Sequence, residues 1–158
     1  MTRSSTKKAD YSILEHDTYR SRTKPVEPTL CTTCGAVFLH GEWGWSKAPK
    51  GAKQSTCPAC RRIEDRFPAG HVEMGGNFFE EHQEEILNMV KDIEKKEKEG
   101  HPMDRIMKIE QRPDSILIKT TGTHIARGIG DALFDAFHGK ETICYLDGEK
   151  CVRVTWRR

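Results

Sequence analysis

The amino-acid sequence predicts an α+β protein, and three observations predict it. Two Cys-x-x-Cys pairs, Cys31/Cys34 and Cys57/Cys60, bracket a Gly-, Pro- and Lys-rich stretch. Apolar residues then recur at helical spacing between Asn77 and Glu99, and the last third alternates as strand, strand, helix, strand, strand. Taken linearly, this divides the chain into a basic tail (1–27), a cysteine-paired module (28–70), a long helix with its connector (71–101) and a β-β-α-β-β domain (102–158).

Composition bounds what such a chain can be. Of 158 residues, 35% are hydrophobic and 32% charged, with a mean hydropathy of −0.71. That is little apolar material, so small cores, a metal staple and some disordered chain are expected. No stretch approaches the roughly 20 apolar residues of a membrane span, and residues 1–20 lack the apolar run of an export signal. Six cysteines without such a signal point to reduced thiols in a cytoplasmic protein.

Each element follows from local chemistry. Residues 1–24 carry six basic and three acidic side chains with few apolar ones, the pattern of a disordered or loosely docked tail. Residues 41–53 read as an extended loop. Residues 61–66 suffice for one helical turn before Pro68 and Gly70. In the long helix Phe79, Ile86, Val90 and Ile93 share a face, with Asn77 as N-cap. Glu80, Glu81, Glu84 and Glu85 near its start and Lys95, Lys96 and Lys98 near its end complement the helix dipole. In the last domain, strands 105–111 and 115–120 flank Pro113-Asp114, and a helix from 123 to 138 sets Ile125, Ile129, Leu133 and Phe137 on one face. Strands 141–146 and 149–156 flank Asp147-Gly148, the signal for a two-residue type I′ turn. Counted outward from that turn, Cys144 and Cys151 face each other as small hydrophobes in a sheet.

The four paired cysteines carry the strongest chemistry. A Cys-x-x-Cys knuckle folds the chain back so that two thiolates meet one ion, and Gly35 suits the left-handed residue that closes such a turn. Two knuckles, 22 residues apart, complete a tetrahedral S₄ shell that suits Zn²⁺ and leaves no open position for catalysis. This makes the module a zinc ribbon. An iron centre of the rubredoxin type uses the same four ligands and stays open. Cys57-Pro-Ala-Cys60 also matches the loop of thiol oxidoreductases, but no apolar strand precedes Ser55-Thr56, and redox catalysis is the weaker alternative. His40 and His71 flank the knuckles as substitute ligands that four thiolates make unnecessary.

No catalytic constellation stands out, and no small-molecule substrate is implied. Residues 120–130 have neither P-loop nor Gly-x-Gly-x-x-Gly spacing, so ordinary N-capping accounts for their hydroxyls. Trp43 and Trp45, interleaved with Lys47, Lys50 and Lys53 and followed by Arg61 and Arg62, form a basic aromatic loop. Rings can stack on unpaired bases and cations can meet phosphates, so these seven residues are the candidate RNA contact; the competing role for the tryptophans is to cover the small metal core. Residues 76–100, with eight acidic and four basic side chains, should repel nucleic acid.

These stretches resemble a known family. The paired knuckles, the segment Gly76-Asn-Phe-Phe-Glu-Glu-His-Gln-Glu-Glu-Ile-Leu87 and the region Asp114 to Arg157 are similar to the zinc-ribbon adaptors of the large ribosomal subunit. That family comprises archaeal proteins and the eukaryotic export adaptors named for nonsense-mediated decay. The layout also resembles a short, uncharacterised bacterial zinc-ribbon family. The chain lacks the extra Cys-x-x-Cys pairs and transport signals of the adaptors, so the resemblance implies ribosome binding and not export. The expected function is non-enzymatic binding to the ribosome or structured RNA. The alternative is a protein–protein adaptor in regulation or stress response.

Overall fold

The computed structural model describes the backbone of residues 3–5 together with residues 25–146 and 151–158. Among these, ten strands and four helices form two mixed sheets, an α+β architecture. No helix among them is long and apolar enough to cross a membrane.

The smaller sheet contains β2 (Thr29–Cys31), β3 (Val37–Leu39), β4 (Glu42–Gly44) and β5 (Lys53–Ser55), in the order β4-β3-β2-β5. The stretch expected to be an extended loop, residues 41–53, thus contains the short strand β4 and ends at the first residue of β5. Helix α1 (Pro58–Asp65) follows, started by Pro58 directly after its N-cap Cys57 and stopped by Arg66 in the left-handed conformation.

The larger sheet contains six strands in the order β1-β9-β10-β6-β8-β7. They are β1 (Arg3–Ser5), β6 (Gly70–Gly75), β7 (Ile106–Gln111), β8 (Ser115–Thr120), β9 (Lys140–Tyr145) and β10 (Val152–Arg157). The expected strand-strand-helix-strand-strand order is present, with α4 (Thr123–Phe137) as its helix. Two strands join it from outside. β1 pairs in parallel with β9, so the tail expected to be loose contributes an edge strand; residues 6–24 lie outside the described residues. β6 sits between β10 and β8, parallel to the first and antiparallel to the second. β6 thus lies in the same sheet as the strands of the last third.

The core lies on one side of this sheet. Val72, Met74, Ile116, Ile118, Ile143, Val152, Val154 and Trp156 alternate inward and meet Ile125, Ile129 and Leu133 of α4. The expected long helix closes over the same core with Phe79, Ile86 and Val90, but it is broken. α2 (Asn77–Glu81) and α3 (Gln83–Gly100) are separated by His82 at φ −118° and ψ 20°, whose backbone N–H and ring Nδ1 both meet the Phe78 carbonyl, at 3.1 and 2.9 Å. The cap is not Asn77 but Gly76, and the Phe78 and Phe79 N–H groups donate to the Arg158 carbonyl instead of to a capping side chain. Gly76 holds φ +105° there, and a Cβ would stand 2.4 Å from that oxygen. Likewise α4 has no side-chain cap of its own: Asp104 reaches across to accept from Ile125 N–H at 3.3 Å.

The last hairpin differs in register from the count based on Asp147-Gly148. Tyr145 pairs with Val152 and Cys144 with Arg153, and Leu146 N–H donates to the Cys151 carbonyl. Cys144 and Cys151 are therefore not directly opposed. A shift of two residues keeps every side chain on its own face, so the apolar alternation cannot distinguish the two registers. The turn itself lies outside the described residues.

Candidate metal centre

Cys31 ends β2, and the next residues fold back at once. Gly35 N–H donates to the Cys31 carbonyl at 2.9 Å and Cys31 N–H to the Ala36 carbonyl at 2.8 Å, with Gly35 at φ +83°. This turn brings Cys34 beside Cys31. Cys57 is the N-cap of α1, its sulfur accepting the Cys60 N–H at 3.4 Å, and Cys60 follows one turn into the helix. β2 and β5 pair in parallel with Cys31 opposite Ser55, which sets the two turns side by side.

The result is a cluster of four thiols whose sulfurs all lie within 4.8 Å of one another. Cys31 and Cys60 sulfurs are 3.9 Å apart, and those of Cys34 and Cys57 3.8 Å apart. A tetrahedron with metal–sulfur bonds of about 2.3 Å has edges of about 3.8 Å, so the donor set fits one thiophilic ion. Cys31, Cys57 and Cys60 are buried and Cys34 partly so.

The electrostatics of the four differ. Burial pushes the Cys31 thiol up, but the backbone N–H groups of Cys57, Cys34 and Thr33 outweigh it and bring it to about 6. Burial raises Cys57, with the sulfurs of Cys34 and Cys31 adding to the effect. Burial also raises Cys60, against an opposing pull from Arg105.

Arg105 is the member of this site that the sequence did not reveal. Its guanidinium, on the stretch leading into β7, reaches Cys34 Sγ at 3.1 Å, Cys60 Sγ at 3.3 Å and Cys57 Sγ at 3.7 Å. The side chain is only 6% exposed, and Nε–H donates to the Pro102 carbonyl at 2.7 Å. Four thiolates around a divalent ion carry a net charge of −2, and one buried cation against three of the sulfurs offsets half of it. No local pattern marks this arginine, because its partners lie far away in the chain.

The seven candidate RNA residues divide in two. Trp43 packs against the thiol cluster and meets Phe38 edge-on at 5.5 Å. Trp45 donates its indole N–H to the Lys98 carbonyl at 2.6 Å, with Arg105 and Lys98 near its ring, yet stays 40% exposed. Arg62 is buried, donating to the Phe67 carbonyl at 3.2 Å and lying over the Phe67 ring, so it is turned away from solvent. Lys47, Lys50, Lys53 and Arg61 are exposed. His40 and His71 stand outside the thiol cluster, and His71 Nδ1 instead meets Cys151 Sγ at 3.8 Å. Comparison with protein-family models, curated proteins and solved structures found no match to this chain.

Proposed function

We propose that the four thiols hold one Zn²⁺ in a structural zinc ribbon, and that the chain is a non-enzymatic binder of the ribosome or structured RNA in the cytoplasm. One observation carries the reading. The four sulfurs of Cys31, Cys34, Cys57 and Cys60 gather within 4.8 Å of one another, a number that would complete a tetrahedral shell, while the chain running from β4 into β5 presents Lys47, Lys50 and Lys53 to solvent. A bound Zn²⁺ joins the two turns covalently, and a shell of four sulfurs keeps no position for a substrate. A loop tethered at both ends loses less entropy on binding than a free tail. The ring of Trp45 is exposed enough to stack on a base while its indole N–H holds the loop against α3.

The test is sedimentation with ribosomes. Wild-type protein should contain one zinc per chain and sediment with ribosomes at low salt. The Lys47→Ala/Lys50→Ala/Lys53→Ala variant should lose sedimentation and keep its zinc. Removal of residues 1–24 should weaken binding less, and mainly at low salt. Sedimentation of the triple variant equal to wild type removes the loop as the contact. No sedimentation of either protein favours the protein–protein adaptor.

A further inference from the structure

We propose that the face of the six-stranded sheet opposite its core, which carries no helix among the described residues, is a second RNA-binding surface, one that takes the sugar–phosphate backbone. It shares the RNA partner with the reading above, but it rests on a different surface and on different residues.

Because one set of alternating residues enters the core with all three core helices, the other set lies on the opposite face. On that face Cys144, Arg153, His71, Lys119 and Lys108 form one cross-strand row over β9, β10, β6, β8 and β7. With strands about 4.8 Å apart, Arg153 and Lys108 stand roughly 14 Å apart, the reach of several phosphates at about 3.4 Å rise each. A second row begins with Lys140 and Arg157, which pair directly. Gly75 lies beside them, and its absent Cβ leaves room for the Arg157 guanidinium.

Glu110 gathers three of the cations. Lys119 Nζ lies 2.9 Å from its carboxylate, Lys108 Nζ 3.4 Å and Arg112 Nη2 3.9 Å. One carboxylate cannot neutralise three cations, so it positions them and leaves positive charge over. Across the face Lys108, Arg112, Lys119, Lys140, Arg153 and Arg157 outnumber Glu73 and Glu110. Thr142, Thr155 and Ser115 place hydroxyls among them. Leu117, the large aliphatic side chain on this face of β8, is 5% exposed, so it offers little apolar surface to an acidic peptide. A repeating backbone charge needs none. On the far side of the sheet the helices carry exposed Glu80, Glu81, Glu84 and Glu85, which turns the polyanion to the open face.

The experiment measures binding of a fluorescent single-stranded RNA of mixed sequence by anisotropy over a salt series. Three proteins are compared: wild type, Lys108→Gln/Lys119→Gln/Arg153→Gln, and the loop variant Lys47→Ala/Lys50→Ala/Lys53→Ala. The sheet variant should bind at least tenfold more weakly and with a salt slope shallower by about 2, since three phosphate contacts are lost. Amine-reactive labelling of the wild type, read by mass spectrometry, should show RNA protecting Lys108 and Lys119; this holds whether or not the variant folds. Sheet-variant affinity within twofold of wild type, or no protection of those lysines, overturns the inference. Loss of binding in the loop variant alone leaves the loop reading standing without this one. No RNA binding by the wild type overturns both. Equal competition by polyglutamate overturns the choice of RNA over an acidic protein.

Discussion

Replacing Arg105 by Met is the sharpest test of how the thiol cluster is held. Methionine keeps most of the volume and removes the charge and every donor. Two guanidinium–sulfur contacts lie within 3.3 Å, and a third at 3.7 Å is weaker. Hydrogen bonds to a charged acceptor contribute about 1.5–3 kcal/mol each, but part of that is returned by water that enters the vacated site. Loss of a group that hydrogen-bonds a metal's ligands typically weakens metal binding 10- to 100-fold, or about 1.4–2.7 kcal/mol. The upper half of that range is expected here, because one side chain serves three sulfurs from a buried position. Arg105→Lys should fall lower, since a single ammonium carries the charge but cannot fork between two sulfurs. A competition titration of zinc against a chromophoric chelator measures the effect. Arg105→Met protein with zinc affinity within twofold of wild type would refute the assignment of Arg105 as the counter-cation.

Other expectations follow from the same structure. Cys31→Ser or Cys60→Ser, or removal of zinc by chelator, should unfold residues 28–66 and raise their amide exchange, because small metal modules fold on their ion. Iron, or no metal, on elemental analysis of the wild type would defeat the zinc proposal. Ile129 is fully buried, so Ile129→Asp should cost several kcal/mol in a denaturant titration. Within α4, Gly128→Ala should stabilise by about 0.8–1 kcal/mol, since nothing lies within 4 Å of the new Cβ. Gly130→Ala should instead destabilise by about 1–3 kcal/mol, since its Cβ would stand 2.5 Å from Val154 Cγ1. Thermal shifts of the same sign for both would contradict the packing of α4 on β10.

What could be read from the sequence was local, and what could not was mostly long-range. The four thiols were legible because each pair is a turn of fixed chemistry. The last domain was legible because its core residues Ile116, Ile118, Ile125, Ile129 and Leu133 keep their strand or helix period, and all are buried. Strand β6 escaped although His71 and Glu73 alternate with Val72 and Met74 between glycines. The run is six residues long, and its meaning comes from partners in β8 and β10. Arg105, the Asp104 cap on α4 and the Arg158 carbonyl under α2 escaped for the same reason: each satisfies a group distant in sequence. At His82 the backbone leaves the helical region, at φ −118° and ψ 20°, while Phe79, Ile86 and Val90 on either side stay in the core, so apolar periodicity does not see the break.

The place of β6 has a consequence for the order in which the protein assembles during synthesis. The four cysteines are all released once Cys60 has emerged, but Arg105, which lies against three of their sulfurs, follows 45 residues later. β6 emerges in between, but its neighbours are Ile118 on one side and Val154 on the other. Until β10 is released, the middle of the large sheet is an uncovered edge carrying Val72 and Met74. Non-local pairing of this kind is slow and leaves apolar strands open to association. Any nascent chain stalled before Val152 would hold that edge open and be a substrate for chaperones.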